Sequence, residues 1–364
     1  MSNIKSLFEP FNLGTATLKN RVGVAPMTRI SATEKGFVTD KMINYYRSFA
    51  EGGFGLIITE GTYIDDKYSQ TYDYQPGIVF EEQVESWNKL INSVHAEGAK
   101  VIMQLQHSGA LSQGNRFVQG TIAPSSVQPK GEQLTFYSGK GPYVTPREIT
   151  KEEIAGVIQS FVASAKRAKS AGAEGIEIHG ANGYLLDEFL TDYTNQRTDE
   201  YGGSVENRVR LLEEIVQAIR AAVGKEFIVG IRISQAKVND PTHKWAGKEK
   251  EAEIIFTKLG QTELDYIHVT EYKAWEPAFD SSDATFAALA KKYSKLPIIA
   301  NGHLEDTEKA IKLLESGDAD IVTLGKGALA NHDWVQKVQN GEHLREFNAE
   351  EILSPSAVIK DFEL

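Results

Sequence analysis

The stretch Gly-Ile-Glu-Ile-His-Gly-Ala-Asn-Gly-Tyr-Leu-Leu-Asp-Glu-Phe-Leu, residues 175–190, is the most informative part of this sequence. Its apolar start predicts a short buried strand that begins at Gly175. His179, Asn182 and Tyr184 follow where that strand ends. An imidazole and a carboxamide can both donate hydrogen bonds to one oxygen, and a phenol can donate a proton. These three side chains are therefore predicted to be catalytic, in the reduction of an activated double bond.

Short apolar segments rich in β-branched residues recur along the chain, and amphipathic segments separate them. The strands read as nearly continuous apolar runs, which indicates burial on both faces and a parallel sheet. Eight strand–helix units predict an α/β fold, a single (β/α)8 TIM barrel, in one domain over 1–364, rather than an open doubly wound sheet. The predicted strands are 22–25, 55–59, 100–105, 175–179, 227–233, 266–269, 298–300 and 321–324, and the predicted helices are 39–51, 81–97, 151–171, 204–223, 248–260, 283–293, 304–316 and 333–340.

Local signals support the helix boundaries. Thr150 and Glu153 have the spacing of a capping box, and Ser204 precedes Glu206 in the first turn of the next helix. Glycine is the residue that most readily ends a helix in the left-handed conformation. The glycines predicted to do so are Gly98, Gly172, Gly224 and Gly260.

Two segments depart from the strand–helix alternation. Residues 108–147 are rich in Gly, Pro, Ser and Gln and have little periodicity. Long loops in compact domains often act as lids, so we expect a capping insertion after the third strand, above the barrel mouth. Residues 7–18 are expected to form an N-terminal hairpin that closes the bottom of the barrel.

Composition excludes several classes of function. The net charge of −11 argues against nucleic acid as a partner, because binding phosphates requires basic patches. The absence of cysteine excludes disulfides, thiolate nucleophiles and iron–sulfur clusters. No signal peptide and no run of ~18 apolar residues is present, so we expect a cytoplasmic protein with no membrane partner. The sequence leaves the oligomeric state open, including a homo-oligomer.

The active site of a TIM barrel lies at the carboxyl ends of its strands, so polar residues there are candidates. Loops after the seventh and eighth strands often bind phosphate, and Gly302, Gly325 and Lys326 lie in them. The alternative is that these glycines only begin helices. The residues predicted to bind a cofactor, some of them only on the family resemblance described below, are Ala25, Pro26, Met27, Thr28, Gly61, Gln104, Arg232, Asn301, Gly302, Gly325 and Lys326.

Alternative roles stay open for some of these residues. His179 is also compatible with two other roles, a strand-end histidine hydrogen-bonded by neighbouring residues or a metal ligand. A metal site needs further His or carboxylate ligands, and Glu60 is the one carboxylate at the strand exits, so no metal site is predicted. Arg232 requires an anionic partner, either a neighbouring acid or a cofactor that becomes negatively charged. An aromatic group after the sixth strand suits a substrate pocket or loop packing equally well. Its members are Tyr272, Trp275 and Phe279.

Several motifs together resemble the NADH:flavin oxidoreductase / old yellow enzyme family. The most specific are the 175–190 stretch and Tyr201-Gly202-Gly203-Ser204 downstream of it. The resemblance runs nearly from end to end. Its other pieces are Leu7-Phe8-Glu9-Pro10, Lys19-Asn20-Arg21, Ala25-Pro26-Met27-Thr28, Gln104-Leu105-Gln106-His107-Ser108-Gly109, Asn195-Gln196-Arg197, Glu206-Asn207-Arg208, Asn301-Gly302 and 325–331.

The resemblance implies non-covalently bound FMN on a TIM barrel. Thr28 would lie near the C4 carbonyl of the flavin, Gly61 would leave room beside the ring, and Gln104 would bind the pyrimidine edge. Arg232 would lie near N1 and O2, where negative charge collects on reduction. The phosphate would be held by the glycines and lysine named above.

The resemblance also implies a ping-pong reaction. NADPH or NADH reduces the flavin and leaves, and an enone, nitro or quinone substrate takes its place. His179 and Asn182 would hold the substrate oxygen, flavin N5 would give hydride to the β carbon, and Tyr184 would protonate the α carbon.

The sequence departs from the family pattern at two positions near the phosphate. Lys326 stands where many members have arginine, and the point charge of a lysine binds phosphate less tightly than a guanidinium. His303 likewise replaces a frequent glycine.

Two other functions are compatible with the same barrel. A metal-dependent lyase or aldolase on the same barrel would need a bound metal. A flavin-binding protein without enzymatic activity would have no use for a proton donor at Tyr184.

Overall fold

A computed structural model describes residues 4–364 of the chain. Eight parallel strands form a closed barrel, so all eight predicted strands and the TIM barrel are confirmed. The strands are β1 (Phe11–Leu13), β2 (Ala16–Leu18), β3 (Val22–Val24), β4 (Leu56–Ile58), β5 (Thr62–Tyr63), β6 (Lys100–Gln106), β7 (Ile122–Ala123), β8 (Arg147–Glu148), β9 (Gly175–Asn182), β10 (Ile228–Lys237), β11 (Tyr266–Thr270), β12 (Pro277–Phe279), β13 (Ser282–Thr285), β14 (Ile298–Asn301) and β15 (Ile321–Leu324). The barrel strands lie in the order β4-β3-β15-β14-β11-β10-β9-β6, and pairing of β4 with β6 completes the ring.

Helices follow the barrel strands and cover the outside of the sheet. The predicted helix at 283–293 begins later, at Phe286, because residues 282–285 pair with β12 as strand β13. Across residues 4–364, no helix combines the length and apolar character of a membrane span. The helices are α1 (Lys5–Phe8), α2 (Asp40–Glu51), α3 (Glu81–Ala96), α4 (Lys151–Ser170), α5 (Leu185–Leu190), α6 (Val205–Val223), α7 (Lys248–Gly260), α8 (Phe286–Ser294), α9 (Thr307–Glu315), α10 (Lys326–Ala330), α11 (Trp334–Asn340) and α12 (Ala349–Leu353).

The predicted helix caps are confirmed with one exception. Thr150 Oγ1 accepts the Glu153 backbone N–H at 3.2 Å, and a Glu153 carboxylate oxygen accepts the Thr150 N–H at 2.9 Å. Gly98, Gly172 and Gly224 have positive φ. Gly260 does not, and the prediction of a left-handed cap there is wrong. A Cβ on Gly260 would lie 2.4 Å from the Ser294 carbonyl oxygen, so glycine lets α7 approach the end of α8.

The N-terminal hairpin closes the bottom of the barrel, as predicted. Strands β1 and β2 pair antiparallel, with Leu13 opposite Ala16. Leu13 and Leu18 are buried in one cluster with residues of the barrel strands. Apolar burial of this kind is worth ~25 cal/mol per Å², so the plug stabilises the closed ring. The strand residues in the cluster are Leu56, Ile58, Ile102, Ile228, Tyr266, Ile299 and Ile321.

The capping insertion also lies where it was predicted. Between the third barrel strand and α4 it contains two short 3-10 helices and strand β7, which pairs with β8. The Tyr137 hydroxyl of the insertion donates to the Thr28 backbone carbonyl at 3.1 Å, at the exit of the first barrel strand. The insertion is therefore fixed to the barrel mouth.

A buried ion pair, which sequence patterns did not indicate, fixes the carboxyl-terminal residues. Arg29 pairs with Glu363 at 2.6 Å, and both side chains are at most 1% exposed. Arg29 Nε also donates to the Ala357 carbonyl at 2.9 Å. The exit of the first barrel strand and the end of the chain are thus joined by charge-assisted hydrogen bonds.

Replacing Glu363 with alanine should destabilise the fold by about 3–5 kcal/mol, because it leaves the buried Arg29 cation without its partner. Urea unfolding monitored by circular dichroism measures the change. The matched control is Asp361→Ala, which removes an ion pair with Lys41 at 2.7 Å whose carboxylate is 91% exposed. Solvent screens that pair, so its loss should leave the unfolding midpoint nearly unchanged. Equal effects of the two substitutions would contradict the anchoring role of Glu363.

Candidate active site

A cavity of about 300 Å³ lies at the carboxyl ends of the barrel strands. Most of the predicted site residues line it. Ala25, Arg232, Asn301 and Gly302 are the predicted residues that are not part of its wall. The predicted residues in the wall are Pro26, Met27, Thr28, Gly61, Gln104, His179, Asn182, Tyr184, Gly325 and Lys326.

Apolar and aromatic side chains from two segments outside the barrel strands also line the cavity. Leu134, Phe136 and Tyr137 come from the capping insertion, and Phe347 and Leu353 come from the carboxyl-terminal segment. Sequence patterns did not find them, because neither segment has a periodicity that would tell an inward from an outward residue. Together they place an apolar cover over a polar floor, which is typical of small-molecule sites.

Strand β9 delivers the first two predicted catalytic residues. It continues to Asn182, whose positive φ of 63° turns the chain sharply there. The Ser234 hydroxyl fixes this turn by accepting the Asn182 backbone N–H at 2.8 Å. His179 is buried, and its Nδ1 has no hydrogen-bond partner in residues 4–364. Burial, together with the Arg232 charge, lowers the pKa of His179 to about 3, so the neutral ring offers one N–H donor at neutral pH.

Tyr184 follows the turn and is buried beside His179, with 5.0 Å between the ring centroids. Its hydroxyl oxygen lies 2.9 Å from that of Tyr72, which the sequence analysis did not identify. Burial raises the pKa of Tyr184 to about 12, although the hydrogen bond with Tyr72 opposes the shift. The phenol is therefore protonated at neutral pH, and its pKa is higher than the ordinary value of about 10.

The guanidinium of Arg232 is buried, and only part of it is hydrogen-bonded. The side chain is on β10, the residue is 4% exposed, and Nη2 donates to Asn301 Oδ1 at 2.9 Å. Within the described chain, Nε and Nη1 have no partner. Burial lowers the pKa of Arg232 to about 10, which still leaves it charged at neutral pH. Glu177 acts on Arg232 without direct contact, so the ion pair with a neighbouring acid that we considered is not formed.

A network of buried polar side chains lies inside the barrel, beneath the cavity. Glu177 accepts hydrogen bonds from Gln104 Nε2 at 2.9 Å and from the Tyr266 hydroxyl at 3.0 Å, and it lies 2.9 Å from His268 Nδ1. Burial alone would raise the pKa of Glu177, but His268, Arg232 and Gln104 together lower it, so the carboxylate is charged. The sequence signal for this network is a polar residue within an otherwise apolar strand, Glu177 in β9 and His268 in β11.

The other predicted residues outside the cavity wall have structural contacts. Ala25 donates its backbone N–H to the Leu324 carbonyl at 2.9 Å. Gly302 has a φ of 137°, and a Cβ there would lie 2.0 Å from the Glu271 carbonyl oxygen. Glycine at 302 thus permits close packing of two loops. Asn301 accepts from Arg232 and so orients the guanidinium.

The aromatic residues after the sixth barrel strand lie away from the cavity wall, which favours the loop-packing interpretation. Tyr272 packs edge-on against His303 with 4.9 Å between ring centroids, and Lys309 lies over Trp275. Phe279 is buried in the main apolar core. In the described residues, no group of three or more His, Asp or Glu side chains is arranged to hold a metal ion.

Comparison with known proteins identifies the family. The NADH:flavin oxidoreductase / NADH oxidase family model matches residues 6–345. This chain belongs to that family. It is 34% identical to a Leishmania infantum protein described as a probable flavin mononucleotide-dependent alkene reductase. The aligned 349 residues cover 94% of this chain and 92% of that protein. The chain is accordingly a flavin oxidoreductase of the ene-reductase type.

Two further comparisons agree with this family. The solved structure of the old yellow enzyme homologue from Zymomonas mobilis superposes with a TM-score of 0.85 at 33% identity, over 94% of each chain. An NADH oxidase of Thermoanaerobacter brockii is 32% identical over 349 residues, which are 94% of this chain and 52% of that protein. The chain thus spans about half the length of that relative.

Glu60, the carboxylate at the second strand exit, is fully buried beside the cavity. It accepts the Arg29 backbone N–H at 2.9 Å and faces the Tyr46 hydroxyl at 3.3 Å. Burial raises the pKa of Glu60 to about 7, although the Arg29 backbone and charge oppose the shift. The folded protein therefore holds a proton on Glu60 more tightly than the unfolded chain does.

Because this folded-state pKa is raised, the stability linked to Glu60 is fully present below pH ~4.5 and is lost as the pH rises through about 7. We expect wild type to lose about 3 kcal/mol relative to Glu60→Gln across that interval, since the amide does not titrate. Urea unfolding of both proteins between pH 4.5 and 8 measures the difference. Parallel stability curves for the two proteins would contradict the raised pKa.

Proposed function

We propose that this protein binds FMN without a covalent link and uses NADH or NADPH to reduce the activated C=C bond of α,β-unsaturated carbonyl or nitro compounds. The observation that carries the proposal is Arg232, a buried cation at the barrel mouth whose Nε and Nη1 have no partner among residues 4–364. A buried charge without an anion is costly, and a cofactor that gains negative charge on reduction would supply one.

The other floor residues suit the polar edge of a flavin. Gln104 gives its N–H to Glu177, so its carbonyl oxygen is left to accept from a ring N–H. Thr28 and Pro26 line the same wall from the first strand exit. Gly325 has open space beside it, with Met27 Sδ 3.6 Å from where a Cβ would be, and Lys326 follows it as a cation for the phosphate.

Bound FMN would supply the chemistry of accepting hydride from the nicotinamide and passing it to the substrate. His179 and Asn182 would hold the carbonyl or nitro oxygen of that substrate. Because His179 is neutral and buried, its N–H stabilises developing negative charge without first losing a proton of its own. This polarises the double bond and makes the β carbon electrophilic.

Tyr184 would complete the reduction by protonating the α carbon. Its buried phenol is protonated across the physiological pH range. It lies beside His179, which places the proton donor next to the group that holds the oxygen. The apolar cover from the insertion keeps water away and favours enones, nitroalkenes and quinones over charged substrates. The alkene reductase named among the relatives supports this substrate class.

Replacing Tyr184 with phenylalanine should slow the turnover of 2-cyclohexenone by about 10²–10³-fold, because the variant has no acid to deliver the α proton. Reduction of the flavin by NADPH needs no proton from Tyr184 and should persist within about twofold. Anaerobic stopped-flow absorbance at the flavin band measures both half-reactions separately. Unchanged enone turnover would refute Tyr184 as the donor.

Replacing Lys326 with arginine should tighten FMN binding by roughly three- to tenfold, because a guanidinium can pair with phosphate through two parallel hydrogen bonds. Fluorescence titration of the apoprotein with FMN measures the dissociation constant. Riboflavin, which lacks the phosphate, is the matched ligand control and should bind both proteins equally. A gain that is the same for riboflavin would locate the effect away from the phosphate.

A further inference from the structure

We propose that the buried ion pair of Lys237 with Asp187 positions Asn182 and Tyr184 for the substrate. The proposal rests on the roles proposed above for Asn182 and Tyr184. Neither member of the pair was among the predicted site residues, and neither belongs to the cavity wall described above. The Lys237 Nζ and Asp187 Oδ2 atoms are 2.8 Å apart, and the side chains are 2% and 0% exposed. The pair acts on the site through residues 182–184, here called the substrate turn.

The substrate turn has an unusual backbone. Asn182 and Gly183 have φ angles of 63° and 91°, so two successive residues are left-handed. Glycine adopts this region readily, but for asparagine it is less favourable than the ordinary conformations. Tyr184 is the N-cap residue of α5 and lines the cavity, as Asn182 does. The turn therefore decides where the carboxamide and the phenol point.

Asp187 closes the substrate turn from the first turn of α5. Its Oδ2 accepts the Gly183 backbone N–H at 2.6 Å, which is a short, charge-assisted hydrogen bond. The helix dipole favours a carboxylate at this end of a helix. Thr191 Oγ1 makes a longer contact with Oδ1, at 3.3 Å. The buried carboxylate is thus directed at the turn.

Lys237 fixes Asp187 to the neighbouring strand. Its Nζ donates to Oδ1 and Oδ2 of Asp187 at 2.9 and 2.8 Å. Lys237 lies opposite Asn182 in the register of β9 and β10, and Val238 donates its N–H to the Asn182 carbonyl at 3.1 Å. Val238 itself lines the cavity. The ion pair therefore joins the turn to the barrel wall through side chains, in addition to the backbone hydrogen bond.

Stability alone does not account for a buried ion pair at this place. Removing two charges from water opposes folding about as strongly as their attraction favours it, so a neutral pair of similar shape is often equally stable. What a neutral pair lacks is a strong acceptor for the Gly183 N–H. The carboxylate accepts from Gly183 and from Lys237 at once, which holds that N–H in one geometry. The contacts thus favour a role in placing the turn.

The test replaces the pair with neutral side chains of similar size, Lys237→Met together with Asp187→Asn, in the full-length FMN-loaded protein. We expect the limiting rate at which 2-cyclohexenone reoxidises the reduced flavin to fall roughly 10- to 100-fold, because Tyr184 is displaced. The half-saturating enone concentration should rise roughly three- to tenfold, because the hydrogen bond from Asn182 weakens. Anaerobic stopped-flow absorbance at the flavin band measures both quantities.

Two further measurements separate positioning from damage to the fold. Ferricyanide takes electrons from reduced flavin and needs neither Asn182 nor Tyr184, so its reaction rate should stay within about twofold of wild type. FMN affinity and the midpoint of urea unfolding should also stay close to wild type. Lys237→Arg keeps the cation and should retain most of the enone rate that Lys237→Met loses. A general packing defect would change all of these quantities together.

The matched control is the ion pair of Lys291 with Asp320, at the amino-terminal start of β14. It has the same 2.8 Å separation, and Asp320 Oδ2 likewise accepts a backbone N–H, from Ile298 at 2.7 Å. Lys291→Met together with Asp320→Asn makes the same chemical change at the end of the barrel away from the cavity. The enone kinetics of this variant should match wild type.

The possible results lead to different conclusions. Wild-type enone kinetics in the neutral-pair variant, beside a slow Tyr184→Phe protein, would overturn the positioning role and leave the proposed function intact. Equal slowing with enone and with ferricyanide would also overturn it, because the defect would then lie in the flavin site or in the fold. Enone turnover that survives Tyr184→Phe would instead refute the proposed function.

A second variant covers the case in which the neutral pair does not fold. Asp187→Glu keeps both charges but moves the carboxylate by one methylene away from its place beneath the Gly183 N–H. It should slow reoxidation by enone and leave reoxidation by ferricyanide unchanged. Wild-type enone kinetics in Asp187→Glu would overturn the proposal.

Discussion

Closure of the parallel sheet is the constraint on which the rest of this molecule depends. When β4 pairs with β6, every barrel strand is hydrogen-bonded on both sides and all carboxyl ends meet at one rim. Residues that are far apart in sequence then share one mouth. The N-terminal hairpin plugs the opposite end with apolar side chains, so polar chemistry is confined to a single side of the ring.

Electrostatics at that rim favour negative charge. Arg232 brings a buried guanidinium that is only partly satisfied, and His179 is held neutral by burial and by that same charge. The Glu177 carboxylate, deeper in the barrel, orients Gln104 and partly balances the cation. A group that gains electrons above this floor would be stabilised by the cation, while the neutral imidazole and protonated Tyr184 face it from the wall. These charges and protonation states support the reduction proposed above, with Tyr184 as a separate proton donor.

The cover of the site depends on contacts that bring distant segments together. The capping insertion is held through Tyr137, and the carboxyl-terminal segment is held through the buried pair of Arg29 with Glu363. Both anchors lie at the exit of the first barrel strand, next to Thr28. Loss of either anchor would therefore displace residues of the cavity wall as well as lower the stability of the fold.

The eight strands, the helices between them and the grouping of His179, Asn182 and Tyr184 follow from the sequence alone, because hydrophobic period and close spacing are local properties. The cap prediction at Gly260 failed because that glycine serves the close approach of another backbone segment, which no local pattern records. The side chains that complete the site are defined only by the folded barrel. Glu177 meets His268 across 91 residues, and Gln104 donates to Glu177 across 73 residues from another strand. Such contacts depend on strand register and side-chain packing in the closed ring, and these exist only once the barrel has formed.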